Sequence, residues 1–454
     1  MIQVVNPSNG ELLQEIESDS KEVLQDKWLR AQEFRPEWLR VPLEKRQEAI
    51  RKFRQLLQEN VEGLAKTLSL EVGKPIQQAR NEILATLPRI DFFVENVALC
   101  LQETIEHEEE NLSERISWEP LGSIANISAW NYPYFVGANV FVPALLTGNT
   151  VFYKPSEFAT LTGLAIQSLL WQAGIPRNAF VAVMGAGGVA SNMLDYPLQG
   201  VFFTGSQVTG GKIASQVAGR MKVQLELGGK DPVYVCDDVD VKTAATSLAD
   251  GAFYNTGQSC CSVERIYVHE KIYQDFVDAF VEEVQTFAIG DPLEEATYIG
   301  PLARAQHIKF LEAQIADAKE KGAKVLLGGE AIVGSGNYFS PTVLTEVNST
   351  MRVMSEESFG PLIGIEKVSS DVQAVEQMNN CRYGLTSGVF SPDKDRASKI
   401  LQQIESGTVY WNCCDRVSPN LPWSGRRGSG LGVTLGKIGI QTFLQPKAWH
   451  LRSS

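Results

Sequence analysis

Two adjacent thiols, Cys260 and Cys261, lie within "NTGQSCCSVER", behind a glycine and small polar residues and ahead of a β-like run, "RIYVHE". A cysteine at such a corner is a candidate nucleophile, and it attacks as its thiolate. A base must accompany it. The four histidines, His107, His269, His307 and His450, all fall in charged or helical contexts that read as surface, and none has a second histidine at metal-ligand spacing. His269 is nearest but closes an alternating strand and is expected in solvent. A carboxylate is the better base: Glu226, in "VQLELGGKDP", sits in an apolar strand entering a Gly-Gly turn, where desolvation would raise its pKa. The same alternation also fits a carboxylate that points outward. Asn131, in "NISAWNYPYF", offers an amide donor for an oxyanion, or serves as a turn residue.

The elements that must position these residues alternate in type. Residues 40–102 read as helices, with Ile50, Phe53, Leu57, Val61 and Leu64 on one face. From 123 to 236, "SIANIS", "TVFYKP", "FVAVMG", "GVFFTG" and "PVYVC" alternate with helix-length segments, which implies βαβ units and a parallel doubly wound sheet. The rhythm repeats after Cys260 with "RIYVHE", a helix from Tyr273, "AKVLLGG" and "SGVFSP", so the fold class expected is α/β with two doubly wound domains and a small β element. The boundaries expected are 1–102 with 120–228 for a Rossmann-like cofactor domain, 229–430 for a catalytic domain, and 103–119 with 438–454 for an oligomerisation hairpin and C-terminal strand. A lone exposed strand is an edge-pairing liability, so hairpin and tail should find a partner, most simply a second subunit.

Bulk properties narrow the field. A chain of 454 residues, 44% hydrophobic and 21% charged, suits two or three folded units with a cleft between them. The net charge of −13 argues against nucleic acid or an anionic membrane as partner. The longest apolar stretch, "PYFVGANVFVPALL", falls short of the ~20 residues a span requires, and the start lacks a basic then apolar leader. Cys100, Cys236, Cys260, Cys261, Cys381, Cys413 and Cys414 form neither a disulfide framework nor a zinc pattern, which fits a reducing cytoplasm.

The ordered set "WNYP", "FTGS", "LELGGKDP", "GQSC", "EESFGP" and "PWSGRRGSG" resembles the NAD(P)-dependent aldehyde dehydrogenase superfamily over nearly the whole chain. The resemblance implies that Cys260 is the nucleophile, with Asn131 and the Cys260 N–H holding the oxyanion and Glu226 activating water to hydrolyse a thioester. It implies NAD, with NADP possible, held by Trp130, Lys154, Glu157, Gly205, Ser206, Glu357 and Phe359; a carboxylate at 157 would repel a 2′-phosphate. The glycine-rich "MGAGGVAS", with Gly185, Gly187 and Ala190, is a weaker pyrophosphate candidate. Tyr132, Trp411 and Trp423 match positions that line the aldehyde passage, and aromatic walls suit a neutral, aromatic or amino-aldehyde. Simple apolar packing explains them equally.

Arginines that succinate semialdehyde dehydrogenases would place in the passage are replaced by Asn139 and Tyr254, although Arg416 or Arg426 could substitute. Two further departures are Val140, where many relatives have Lys, and Thr434, where many have Glu. Alternatives are therefore a succinate semialdehyde dehydrogenase, a CoA-acylating enzyme, whose relatives lack the hydrolytic Glu, and a silent scaffold of the same fold. Cys261 reads as a packed small residue or as a redox partner of Cys260. A homodimer or homotetramer is expected.

Overall fold

The computed structural model describes residues 1–453, so the last residue of the predicted C-terminal strand segment lies outside the described residues. Its centre is a six-stranded sheet in the spatial order Gly430–Leu431, Lys222–Glu226, Gly200–Thr204, Ser123–Ile127, Thr150–Lys154, Phe180–Ala182. All neighbours are parallel except the short Gly430–Leu431 strand. Ser123–Ile127 and Thr150–Lys154 are buried at every position, as expected of parallel strands covered on both faces. Chain order reverses between Ser123–Ile127 and Gly200–Thr204, which opens a crevice at the carboxyl ends of those strands.

A seven-stranded sheet follows, ordered Lys324–Leu327, Thr342–Thr345, Leu362–Val368, Val263–His269, Asp231–Val235, Thr386–Phe390, Thr408–Trp411, antiparallel only at Lys324–Leu327. The α/β class and the parallel sheets thus follow the reading from strand and helix rhythm.

Helices cover the sheets. The apolar face predicted across residues 50–64 is split, because Asn60 ends the helix Leu43–Glu59 and its side chain donates back to the Leu56 carbonyl before Val61–Val72 begins. Pro133 starts the helix Pro133–Leu146, in which every residue but Phe135 is buried. The helix Ile76–Cys100 packs against it.

The tail differs from its uniform strand reading. Gly436–Gln441 is helical and only Leu444–Arg452 is a strand. That strand pairs in register with Leu112–Pro120, which pairs with Thr104–Glu109, so tail and hairpin first find each other within one chain.

Candidate active site

One cavity of about 790 Å³ is lined by Trp130, Asn131, Lys154, Glu157, Gly205, Ser206, Glu226, Cys260, Glu357 and Phe359, so ten residues predicted as catalytic or cofactor-binding share one space. Most of them sit where strands of the first sheet end. Ser206 caps the helix Gln207–Val217 by accepting from the Thr209 N–H, which leaves the free N–H groups of that helix start at the cavity wall.

Cys260 is carried on a tight loop after the helix Val241–Phe253. Asn255, Thr256 and Gly257 are successively left-handed, at φ 54°, 57° and 67°. A Cβ on Gly257 would lie 2.2 Å from the Gly360 carbonyl oxygen, so only glycine fits there. The Gln258 carbonyl accepts from Asn131 Nδ2 at 3.1 Å and Asn255 Nδ2 at 3.0 Å, which ties the nucleophile loop to the residue predicted to hold the oxyanion. Cys260 is half-buried, whereas Cys261 is buried with its Sγ 2.8 Å from Asp415 Oδ1. The adjacent Cys260 side chain, and burial, push the Cys261 thiol well above its ordinary range, so it stays protonated.

Glu226 is 8% exposed and points inward, which decides between its two sequence readings. Burial raises its pKa, opposed by donors from Thr434, Thr204 at 3.3 Å and Gln224 at 3.5 Å. Glu357 is held against the Gly228–Gly229 turn: Oε1 accepts from the Gly229 N–H at 3.1 Å, and a Cβ on Gly228 would sit 2.2 Å from both carboxylate oxygens. Burial raises Glu357 to about 8.

Sequence reasoning missed several parts. The buried Lys230–Glu264 pair, at 2.6 Å, holds the "EESFGP" turn: Glu264 accepts from the Ser358 and Phe359 N–H groups and keeps Phe359 left-handed, with its ring edge-on to Trp130 at 5.6 Å. Arg304 lines the cavity 5.9 Å from the Trp130 ring centre, and Lys212 and Thr204 also face it.

His307 is not at the surface. It lines the cavity, its Nε2 lies 2.8 Å from the Ser358 carbonyl, and burial lowers its pKa. His269 is likewise buried, accepting from the Lys271 N–H. The sequence offered only a charged or helical context for each, and that does not report depth. Among the described residues no group of three or more His, Cys, Asp or Glu could hold a metal, and no helix is long and apolar enough to cross a membrane.

The three predicted aromatic walls do not line this cavity. Trp411 ends the edge strand Thr408–Trp411, 39% exposed, with its indole N–H on the Ser391 carbonyl. Trp423 is packed in the core and its backbone bridges Thr434. The Tyr132 ring is covered by the Lys74 ammonium at 3.7 Å. Gly187 and Ala190 of the glycine-rich stretch do reach the cavity wall, on the short helix Gly187–Met193.

The whole of residues 1–449 matches the model of the aldehyde dehydrogenase family. The chain belongs to the aldehyde dehydrogenase family. It is 33% identical over 450 residues to the succinate-semialdehyde dehydrogenase (NADP(+)) of Deinococcus radiodurans, covering 98% of this chain and 93% of that one. Lactaldehyde dehydrogenase of Escherichia coli (strain K12) is 33% identical over 456 residues, covering 100% and 95%. Among solved structures, an E. coli NADP dependent enzyme superposes with a TM-score of 0.97 at 31% identity, covering 100% of this chain and 95% of that one. Betaine aldehyde dehydrogenase from Staphylococcus aureus in complex with NAD+ superposes at 0.95 with 29% identity, covering 99% and 94%.

A dinucleotide fits this aldehyde dehydrogenase's cavity on its own chemistry. The capped helix start suits a pyrophosphate, Lys154 and Glu157 suit ribose hydroxyls, and the Gly228 cradle brings the Glu357 carboxyl to the wall. Neighbours bind NAD in some cases and NADP in others.

Proposed function

We propose that the chain oxidises an aldehyde to its carboxylic acid through a covalent intermediate on Cys260, with NAD favoured over NADP. The observation that carries this reading is the shared cavity: thiol, amide and buried carboxyl all open onto one space. Cys260 Sγ adds to the aldehyde carbon, and the oxygen's developing charge falls to the Asn131 amide and the Cys260 N–H. A nicotinamide, when bound, supplies the hydride acceptor for this chemistry. Glu226 then takes a proton from water as it adds to the thioester, and the Cys260 thiolate leaves. The raised pKa of Glu226 suits that exchange near neutrality.

Glu157 supports NAD. Its carboxylate lies 3.3 Å from Lys154 at the cavity, which spends that ammonium's charge and leaves an anion facing any 2′-phosphate. Seven free thiols support a reducing compartment such as the cytoplasm, and the three-stranded outer sheet supports a homodimer or homotetramer. Tyr132, Trp411 and Trp423 lie outside this cavity, so the aromatic argument for a neutral or amino-aldehyde rests on their matched positions alone.

The test is Cys260→Ala assayed with an aldehyde panel and either nicotinamide cofactor. Aldehyde-dependent reduction should vanish while cofactor binding persists; surviving turnover would sink the reading. Glu226→Gln should give one equivalent of reduced cofactor and then stall at the thioester. A requirement for CoA would favour the acyl-transferring alternative, and cofactor binding without turnover in the unaltered chain would favour the scaffold.

A further inference from the structure

The strand that carries Glu226 also carries a polar file behind it. Residues two apart in a strand share a face, so Lys222, Gln224 and Glu226 of Lys222–Glu226 point one way, while Val223 and Leu225 turn to the apolar core on the other side. One later segment covers the polar face. The Thr442 carbonyl accepts from Lys222 Nζ at 2.7 Å, and the Thr434 hydroxyl donates to Glu226 Oε1. Gly432, left-handed at φ 86°, lies against Gln224, where a Cβ would stand 2.9 Å from the Gln224 Cγ. Glycine there leaves the amide its room.

Gln224 uses only half of that amide. The residue is 2% exposed and its Nε2 reaches Glu226 Oε1 at 3.5 Å, yet its buried Oε1 has no hydrogen-bond partner in the protein. The neighbour of Gln224 across the sheet is Phe202, stacked on Phe443 with ring centres 4.4 Å apart, and in such surroundings an unpaired acceptor is costly. A bound water is the usual remedy.

The hydrolysis proposed above gives that water a use. An O–H bond of the attacking water breaks, its oxygen bonds to the acyl carbon, the C–S bond breaks with Cys260 leaving as thiolate, and the proton rests on the Glu226 carboxyl. It must leave before Glu226 can act again. Among the described residues only neutral groups bond this carboxyl, namely Thr434, Thr204 and Gln224, and Arg89, 5% exposed in the helix Ile76–Cys100, reaches it only through its field. Thr204 is on the cavity wall, the side that a dinucleotide fills, whereas Gln224, Thr434 and Lys222 are absent from that wall. Behind Glu226 the strand face runs about 13 Å to Lys222, at ~3.3 Å per residue, a distance that a short chain of waters can bridge. Lys222 itself is exposed, so the file ends in solvent.

We propose that Gln224 is a positioning residue for proton release: its Oε1 holds a water that takes the proton from Glu226 and passes it along the strand face to solvent at Lys222. The proposal rests on the hydrolytic reading of Cys260 and Glu226 and deepens it. Simple packing is the competing role for Gln224. Methionine would fill that role equally well, because it matches glutamine in length and offers no amide oxygen to hold a water.

The experiment takes the full-length protein with NAD or NADP and butanal, benzaldehyde or 4-aminobutanal, the fastest pair being carried forward. In Gln224→Met, kcat should fall about tenfold or more, the scale of a lost proton-transfer group, while kcat/KM for the aldehyde changes less than about threefold, because that ratio closes at the hydride step before Glu226 must be recharged. Imidazole, a small proton carrier that can enter by the cavity, should restore kcat in this variant and leave the wild type unchanged. Cofactor binding, read by tryptophan fluorescence, should persist. A smaller fall in kcat, an equal fall in kcat/KM, or a fall that imidazole does not relieve would each overturn the proposal and leave the Cys260 reading standing. So would a wild-type kcat that rises with imidazole, a measurement that needs no variant to fold. If the wild type reduces neither cofactor with any of the three aldehydes, the Cys260 reading falls as well.

Discussion

The Thr434 hydroxyl donates to Oε1 of Glu226 across 208 residues of sequence, and the backbone of Thr434 is bonded in both directions to that of Trp423. A neutral donor thus holds the carboxyl that the proposed hydrolysis depends on. Burial and this bond act in opposite directions on Glu226, the first favouring the protonated form and the second the ionised one.

Thr434→Val should therefore raise the Glu226 pKa further. A general base works only when ionised, so its rate is lost as pH falls through its pKa, and a higher pKa moves that loss to higher pH. The acidic limb of the kcat profile should shift up by about one unit, the scale of one lost hydrogen bond to a charged group, with KM for cofactor unchanged. An unmoved limb would show that Thr434 does not tune the base.

Much of this site was legible because it lies at strand ends. "VQLELGG" and "NISAWN" each announce a strand entering a turn, which made Glu226 and Asn131 candidates beside plainer readings, while Gly205 of "FTGS" came from the family resemblance alone. What escaped is held by contacts between distant segments. Glu264 falls just ahead of the strand-like run "RIYVHE" and carries no signal of its own, yet its carboxylate fixes Ser358 and Phe359, 94 and 95 residues on. His307 reads as helical surface because the loop that covers it is remote in sequence. Trp411 and Trp423 were placed by motif position alone, which fixes the backbone path and not where an indole packs. Arg89 sits in an amphipathic helix where arginine ordinarily faces water.

Cys261 and Asp415 make a second titrating pair. Burial pushes Asp415 from its ordinary 3.8 to about 6, against the lowering effect of the Cys261 contact. The fold therefore binds the Asp415 proton more tightly than the unfolded chain does, and this contribution is full below about 3.8 and lost as pH rises through about 6. Asp415→Asn should stabilise the protein relative to wild type by an amount that grows across that window and is flat above it, read as the Tm difference against pH. A constant difference would mean that Asp415 is not shifted. Cys261→Ser, which keeps a donor to Asp415, should leave this pH dependence in place.

Glu157 is the residue to change for cofactor choice. Glu157→Gln removes the anion facing a 2′-phosphate and frees Lys154 from its pair. The ratio of kcat/KM for NADP over NAD should rise by about tenfold, or ~1.4 kcal/mol. An unchanged ratio would locate the discrimination elsewhere on the cavity wall, with Lys212 and Arg304 next to be examined.

For the proposed association, the outer sheet offers a face rather than an edge. Its edge strand Thr104–Glu109 is exposed throughout and carries Glu106, Glu108 and Glu109, charges that discourage strand addition. Across the sheet, Ile105 and Trp449 both pair with Arg115, and Leu451 lies two residues beyond Trp449, so the three share one face. They are 57%, 38% and 43% exposed and flank Arg115, which lies between Ile105 and Trp449 on that face. A half-exposed tryptophan beside an arginine on such a face is the expected anchor of a subunit contact. Trp449→Glu should lower the mass in solution to that of the 50.0 kDa chain, read by light scattering at micromolar concentration, while leaving cofactor binding in the separate cavity unchanged. An oligomer that keeps its mass in this variant would place the subunit contact on another surface.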